Sequence, residues 1–312
     1  MKCFYHIDQD GIVSGYYVKK ACDDRGIEYN KSDFRPINYG MKFPFEDIEQ
    51  DELVFIVDYS IEPEEMWQLL AITKNVYWID HHPTTLEKYK DFKCDVKGIR
   101  ITGKGISGAN LTWWYFNANT WGDLVVDYSK DIGYHLLDVE LNEVKNKCPL
   151  LAEYTADWDT FNFKNGSNYE EKVKAFHYAF EGYNFKPCDC DFPNIENHFS
   201  DYLYSGMLIV DHENARAKRY IESYGFETTF EGHKAFAVNS ALISSDFFKS
   251  IDATKYDIFI GFSYKGDENK WEYQLRSAEE DKVNVAEIAV KHGGGGHFNA
   301  AGFRSDKYEL GA

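Results

Sequence analysis

The 312-residue chain is long enough for two domains with their own cores, and 44% hydrophobic with 17% aromatic content excludes a disordered protein. A net charge of -18 argues against long duplex or single-stranded nucleic acid as a ligand, because such binding needs basic grooves; a short nucleotide held through metal ions stays open. Six cysteines form no CxxC pair and no zinc-finger spacing, the start Met-Lys runs straight into a strand-like stretch, and no apolar run approaches transmembrane length. We therefore expect a cytoplasmic protein without a membrane span, with incidental thiols that include Cys188 and Cys190.

In chain order, Lys2 to Ile7 reads as a short apolar-aromatic strand, Asp10-Gly11 as a turn, and Ile12, Val13, Tyr16, Tyr17 and Ala21 as a helix ending at Gly26. His6, Asp8 and Asp10 alternate, so an extended stretch would put all three side chains on one side. Leu53 to Val57 is a second apolar run and ends in Asp58. Pro63 to Ile72 reads as a helix with Met66, Leu69 and Leu70 inward. Asn75 to Ile79 is the next strand, and it delivers Asp80-His81-His82 to a single spot. Alternating strands and helices predict a parallel sheet, in which ligands collect at the carboxyl ends of the strands. Gly98 to Gly108 reads as a glycine-punctuated loop, with Ser107 capping a helix that carries Leu111, Trp114 and Tyr115. Tyr128 to Lys147 reads as helical, and a further helix begins after Pro149 and leads to Asp157 and Asp159. Of the two, we expect Asp157 at the site.

Residues 186–197 contain Pro187 and Pro193 with little periodicity and read as a linker. Ser205 to Tyr224 is a long helix with Leu208, Ile209, Ala215, Ala217, Tyr220 and Ile221 as candidate apolar positions. Phe226 to Phe230, Lys234 to Val238, Ile258 to Phe262 and Trp271 to Arg276 read as strands, and Val285 to Val290 as a short helix capped by Asn284. Gly293 to Gly296 then leave backbone amides unshielded toward an anion, followed by His297 and the small run Ala300-Ala301-Gly302. The domain expectation is 1–185, a linker and connecting helix at 186–224, and 225–312.

His6, Asp8, Asp10, Asp58, His81 and Asp157 form a mixed imidazole and carboxylate donor set, suited to Mn²⁺ or a similar divalent ion. So many carboxylates in one cleft repel one another unless cations neutralise them. Two ions about 3.5–4 Å apart would do so and would activate water toward phosphorus, which points to phosphoester or phosphoanhydride hydrolysis.

These motifs resemble the DHH family of phosphoesterases carrying a DHHA1-type C-terminal domain. The resemblance is strongest to the branch of oligoribonuclease and cyclic-nucleotide phosphodiesterase-like proteins called NrnB. It covers nearly the whole chain, through His6-Ile7-Asp8-Gln9-Asp10-Gly11, Asp58, Asp80-His81-His82, Asp157, Arg276-Ser277 and Gly293 to Gly302. It implies an α/β fold, with a parallel-sheet catalytic domain joined by a linker and helix to a smaller α/β substrate-binding domain. It further implies that His6 and Asp8 hold one metal, that Asp10, His81 and Asp157 hold another, and that Asp58 bridges them. Asp80 would orient the histidine pair and His82 would contact the scissile phosphate. Arg276, Ser277, Gly294, Gly295, Gly296 and His297 would grip the nucleotide. In many relatives the first motif has an additional residue between His and the first Asp, so the compressed His6-Ile7-Asp8 leaves open which metal Asp8 and Asp10 each serve. The implied activity is Mn²⁺-dependent hydrolysis of short oligonucleotides or small linear or cyclic nucleotides. A pyrophosphatase or polyphosphatase, a RecJ-like exonuclease and a non-catalytic nucleotide sensor remain alternatives.

Overall fold

The structure is a computed structural model that describes residues 1–83, 88–90, 92, 96–117, 125–126, 144–145, 147–163, 169–189, 192–241, 243 and 246–310. Cys94, Cys190 and almost all of the helix expected at Tyr128 to Lys147 lie outside the described residues. The chain divides into two compact units, Met1–Ile209 and Val210–Ala312.

The first unit is built on a sheet of β1 (Lys2–His6), β2 (Phe34–Ile37), β3 (Val54–Val57), β4 (Val76–Asp80), β5 (Val96–Arg100) and β6 (Val125–Val126). The order is β2-β1-β3-β4-β5-β6; β1 to β5 run parallel and β6 is antiparallel. Every residue of β3 and β4 is buried, as a parallel sheet covered on both faces requires. On one face Tyr5, Val57 and Ile79 pack with Val18 of α1 (Gln9–Arg25) and with Leu111 and Tyr115 of α3 (Gly108–Asn117). On the other, Phe4, Ile56 and Trp78 pack with Met66, Leu69 and Leu70 of α2 (Pro63–Ile72). The chain leaves β1 toward β2 and returns to β3 on the opposite side of β1. That reversal makes a crevice at the carboxyl ends of β1 and β3, where ligands of such sheets bind.

Strands β2, β5 and β6 differ from the sequence reading. Phe34–Ile37 holds an edge position, where Pro36 costs no ladder bond on its open side. Val96–Arg100 takes in Gly98, which the sequence placed in a loop. The expected linker is packed: Phe192 and Ile195 of α6 (Phe192–Asn197) are fully buried. They join Leu151 of α4 (Leu150–Asp159), Phe176 of α5 (Tyr169–Tyr183) and Phe199 in a helical core.

The long helix α7 (Phe199–Tyr224) starts six residues before the expected Ser205, and the division between the units falls within it. Its Ala217 is buried, whereas Leu208 and Tyr220, expected inward, are exposed. The second unit has a six-stranded sheet of order β11-β12-β10-β9-β8-β7. Its strands are β7 (Gly225–Phe230), β8 (His233–Asn239), β9 (Ile258–Lys265), β10 (Lys270–Ser277), β11 (Gly295–His297) and β12 (Ala300–Ser305). Ile288 and Ala289 of α8 (Val285–Lys291) cover the face that carries Ile260, Leu275 and Ala301. No helix among the described residues is long and apolar enough to cross a membrane.

Candidate metal centre

His6 closes β1, and the chain turns at once into α1. Asp8 is the N-cap, its side chain accepting the Gly11 amide at 3.0 Å, and Asp10 stands in the first helical turn. The three residues converge through strand end, cap and helix turn, not through the extended alternation that the sequence suggested. Asp58 follows β3 in the left-handed region at φ 55, and His81 and His82 follow β4.

His6 Nε2 lies 3.2 Å from Asn38 Oδ1. A proton on Nε2 donates there and leaves the Nδ1 lone pair facing Asp8 Oδ2 at 2.7 Å and Asp58 Oδ2 at 3.8 Å. His81 Nε2 sits 3.1 Å from Asp58 Oδ1, 3.4 Å from Asp159 Oδ2 and 3.5 Å from Asp10 Oδ2. Yet, among the described residues, His6 Nδ1, His81 Nε2 and both Asp58 oxygens are buried without a hydrogen-bond partner. These atoms converge on shared points instead of pairing with one another, as ligands to a common cation do. Three groups of potential ligand atoms lie within 4.8 Å of one another: His6, Asp8 and Asp58; Asp10, His81 and Asp159; and Asp58, His81 and His82. Asp58 is shared between the first and last groups, so the donor set fits two neighbouring divalent cations.

The protonation pattern agrees. Burial, with Asp10 and Asp8 nearby, pushes the Asp58 carboxyl well above the usual carboxylate range. Burial and the same two neighbours push Asp159 up to about 8. Burial alone would raise Asp8 too, but the adjacent His6 imidazole, with the Gly11 amide, holds it below its ordinary value. These carboxylates cannot all remain charged without added positive charge.

Sequence reading missed the device that fixes Asp10. Ser107 Oγ donates to Asp10 Oδ1 at 2.7 Å, the Gly108 amide to Oδ2 at 2.7 Å and the Ala109 amide to Oδ1 at 2.9 Å. The free amides and positive end of α3 thus hold a carboxylate, and the Ser107 hydroxyl, expected to cap this helix, donates to Asp10. A Cβ at Gly108 would stand 2.6 Å from Asp58 Cβ, so only glycine lets this helix end approach both acids. The glycine-rich approach to the helix was visible in the sequence, but the partner 98 residues away was not.

Asp80 is fully buried and accepts from Ser60 Oγ at 2.7 Å and from the His81 and His82 amides at 2.8 and 3.3 Å. His82 Nδ1 lies 2.7 Å from Asp80 Oδ1. Asp80 thus fixes the His82 ring directly and His81 through its backbone. Burial lowers the His82 pKa, but the Asp80 contact outweighs it and the net shift is upward.

The structure does not bring Asp157 into the cluster. The segment is helical through Asp159, so residues two apart point to opposite sides. Thr155 accepts a hydrogen bond from Gln9 Nε2 at 3.1 Å, and Asp159, one turn further on that face, reaches His81. Asp157 instead accepts from Asn162 Nδ2 at 2.7 Å and from the Tyr169 hydroxyl.

In the second unit, Arg276 pairs in register with Ala300, and Ala300 with His297. The three side chains therefore share one sheet face, opposite Leu275 and Ala301. Arg276 and His297 are two strands apart, about 9–10 Å, across a small alanine. The glycines divide their work. Gly293, at φ +76, and Gly294 donate their amides to Val290 and Ala289 at the end of α8, so those amides are spent. Gly295 and Gly296 belong to β11 instead of a loop. The Ser277 hydroxyl donates to the Glu279 carbonyl and accepts the Val283 amide, which commits it to its own turn.

No protein-family model matches the chain, and no curated protein sequence matches it. Among solved structures, a pGpG-specific phosphodiesterase, PggH, from Vibrio cholerae superposes with a TM-score of 0.51 at 12% identity. The match covers 97% of this chain and 93% of that one. RecJ of Thermus thermophilus in complex with Mn²⁺ matches with a TM-score of 0.47 at 14% identity, over 98% of this chain and 49% of RecJ. An exopolyphosphatase-related protein of Bacteroides fragilis matches at 0.41 and 14% identity, over 98% and 86%. With the first of these likenesses running nearly end to end, the chain has a DHH fold.

Proposed function

We propose that the chain is a metal-dependent phosphodiesterase that hydrolyses short oligonucleotides or small linear or cyclic nucleotides, with two divalent ions, Mn²⁺ first among them. The observation that carries this reading is Asp58: buried, with neither oxygen hydrogen-bonded, and set between His6 and Asp8 on one side and His81 on the other. In this reading His6, Asp8 and Asp58 hold one ion, and Asp58, Asp10, His81 and Asp159 the other. Mixed imidazole and carboxylate donors suit Mn²⁺. When bound, such ions lower the pKa of water and neutralise charge on the phosphate.

The remaining work falls to the chain's own groups. Asp80 holds the His82 ring and favours its protonated form, so that Nε2 donates to a non-bridging phosphate oxygen. The α3 amides keep Asp10 aimed. Arg276 and His297, on one face across Ala300, would hold an anionic part of the nucleotide, with the Arg fork suited to a phosphate. The neighbouring fold's action on pGpG is a precedent for a nucleotide phosphodiester.

The test is a Mn²⁺ activity panel with pApA, a thirty-mer oligonucleotide, cyclic mono- and dinucleotides, and pyrophosphate. The reading predicts hydrolysis of the dinucleotide and a steep fall with length, given the net charge of -18. Turnover of pyrophosphate alone would refute it.

A further inference from the structure

We propose that Tyr39 is the wall on which a nucleobase of the substrate stacks, and so the residue that makes this centre prefer nucleosides over bare phosphates. The inference rests on the phosphodiesterase reading above. Tyr39 follows Asn38, the residue that fixes His6, and its ring centroid lies 5.4 Å from the His6 ring and 6.1 Å from the His82 ring. Behind it, Tyr59 stacks at 5.1 Å and 25°, and Tyr59 is itself buried. The Tyr39 hydroxyl accepts the Ser60 amide at 3.4 Å. The ring is therefore held from behind and at its tip, yet it remains 46% exposed. An aromatic ring fixed in advance loses little freedom when a planar ligand covers it. Its place beside the two imidazoles puts that surface next to the phosphate position. A base joined through a sugar to a phosphate is the planar group that belongs there. Stacking accepts any base, because each presents a π face.

The experiment compares wild type, Tyr39→Phe and Tyr39→Leu on pApA and on the two analogues in which one adenine is replaced by hydrogen. In parallel, calorimetry measures binding of adenosine 5′-monophosphate and of ribose 5-phosphate. Wild type and Tyr39→Phe should favour one base over its abasic counterpart by about tenfold or more in kcat/KM. Tyr39→Leu should lose that preference while keeping its rate on the corresponding abasic analogue. The same variant should bind the two monophosphates alike. If Tyr39→Leu keeps the preference, or slows base and abasic substrates equally, Tyr39 merely shapes His6 and His82 and the inference falls. If wild type hydrolyses none of the dinucleotides, the phosphodiesterase reading falls by itself. The binding comparison then still decides on Tyr39: equal affinity of wild type for both monophosphates overturns the stacking wall.

Discussion

One helix end holds Asp10 and packs against Asp58, and the side chain that is absent there matters as much as those present. Gly108 gives its amide to Asp10 and leaves room for Asp58. Gly108→Ala should displace the Asp58 carboxylate and weaken metal binding by about 10–100-fold, as loss of an orienting contact around a metal usually does. Titration calorimetry with Mn²⁺ reads this directly; unchanged affinity would mean that the helix end yields. Asp159 and Asp157 supply a sharper contrast. Asp159→Asn should lose the metal held with Asp10 and His81 and keep the fold. Asp157→Asn should keep metal but cost about 1–3 kcal/mol of stability, since the half-buried Asn162 and Tyr169 that bond the buried Asp157 are left mismatched. Metal content and thermal unfolding of the two variants, measured together, decide it. The opposite pattern would restore Asp157 as the ligand.

At the scale of elements, what was legible followed burial. β1, β3 and β4 are apolar runs because helices cover both sheet faces, and Asp58 and Asp80-His81-His82 stand out where those runs stop. Phe34–Ile37 and Val96–Arg100 carry Arg35, Pro36, Lys97 and Gly98 and have no such run. Pairing with β1 and β4 makes them strands. Asp159 was missed because the spacing of the acidic pair does not say which of the two faces inward: the helix runs on through Asp159 and puts Asp157 and Asp159 on opposite sides. In the second unit the Gly-rich run reads as an open anion loop, but half of it terminates α8 and half forms β11. The register sets Arg276, Ala300 and His297 in one row, on which the proposed substrate grip rests. Arg276→Ala should leave Mn²⁺ affinity unchanged while kcat/KM for pApA falls by about 10²-fold, a usual cost of lost positioning. Loss of metal in this variant, or wild-type turnover of pApA, would remove the assigned role.

For the whole molecule, the acidic cluster sets a balance between charge and stability. Asp159 has a folded pKa of about 8, and Asp58 is raised as well, above an unfolded value of about 3.9. The metal-free folded state therefore binds protons more tightly than the unfolded chain. Its stability is fully present below about pH 4 as far as these groups are concerned, and it declines as pH rises toward 8. Cations remove that penalty and bind more strongly as the ligands lose protons. The gain in melting temperature on adding Mn²⁺ to chelator-treated protein should thus be larger at pH 8 than at pH 6. Equal gains would mean that these carboxyls are not the ligands.

The central claim is that Asp58 bridges two cations, and anomalous diffraction at the manganese edge from a Mn²⁺-soaked crystal of active protein tests it most directly. The account predicts two peaks about 3.5–4 Å apart on either side of the Asp58 carboxylate, one beside His6 and Asp8, the other beside His81 and Asp159. A single peak, or none within reach of Asp58, would contradict it.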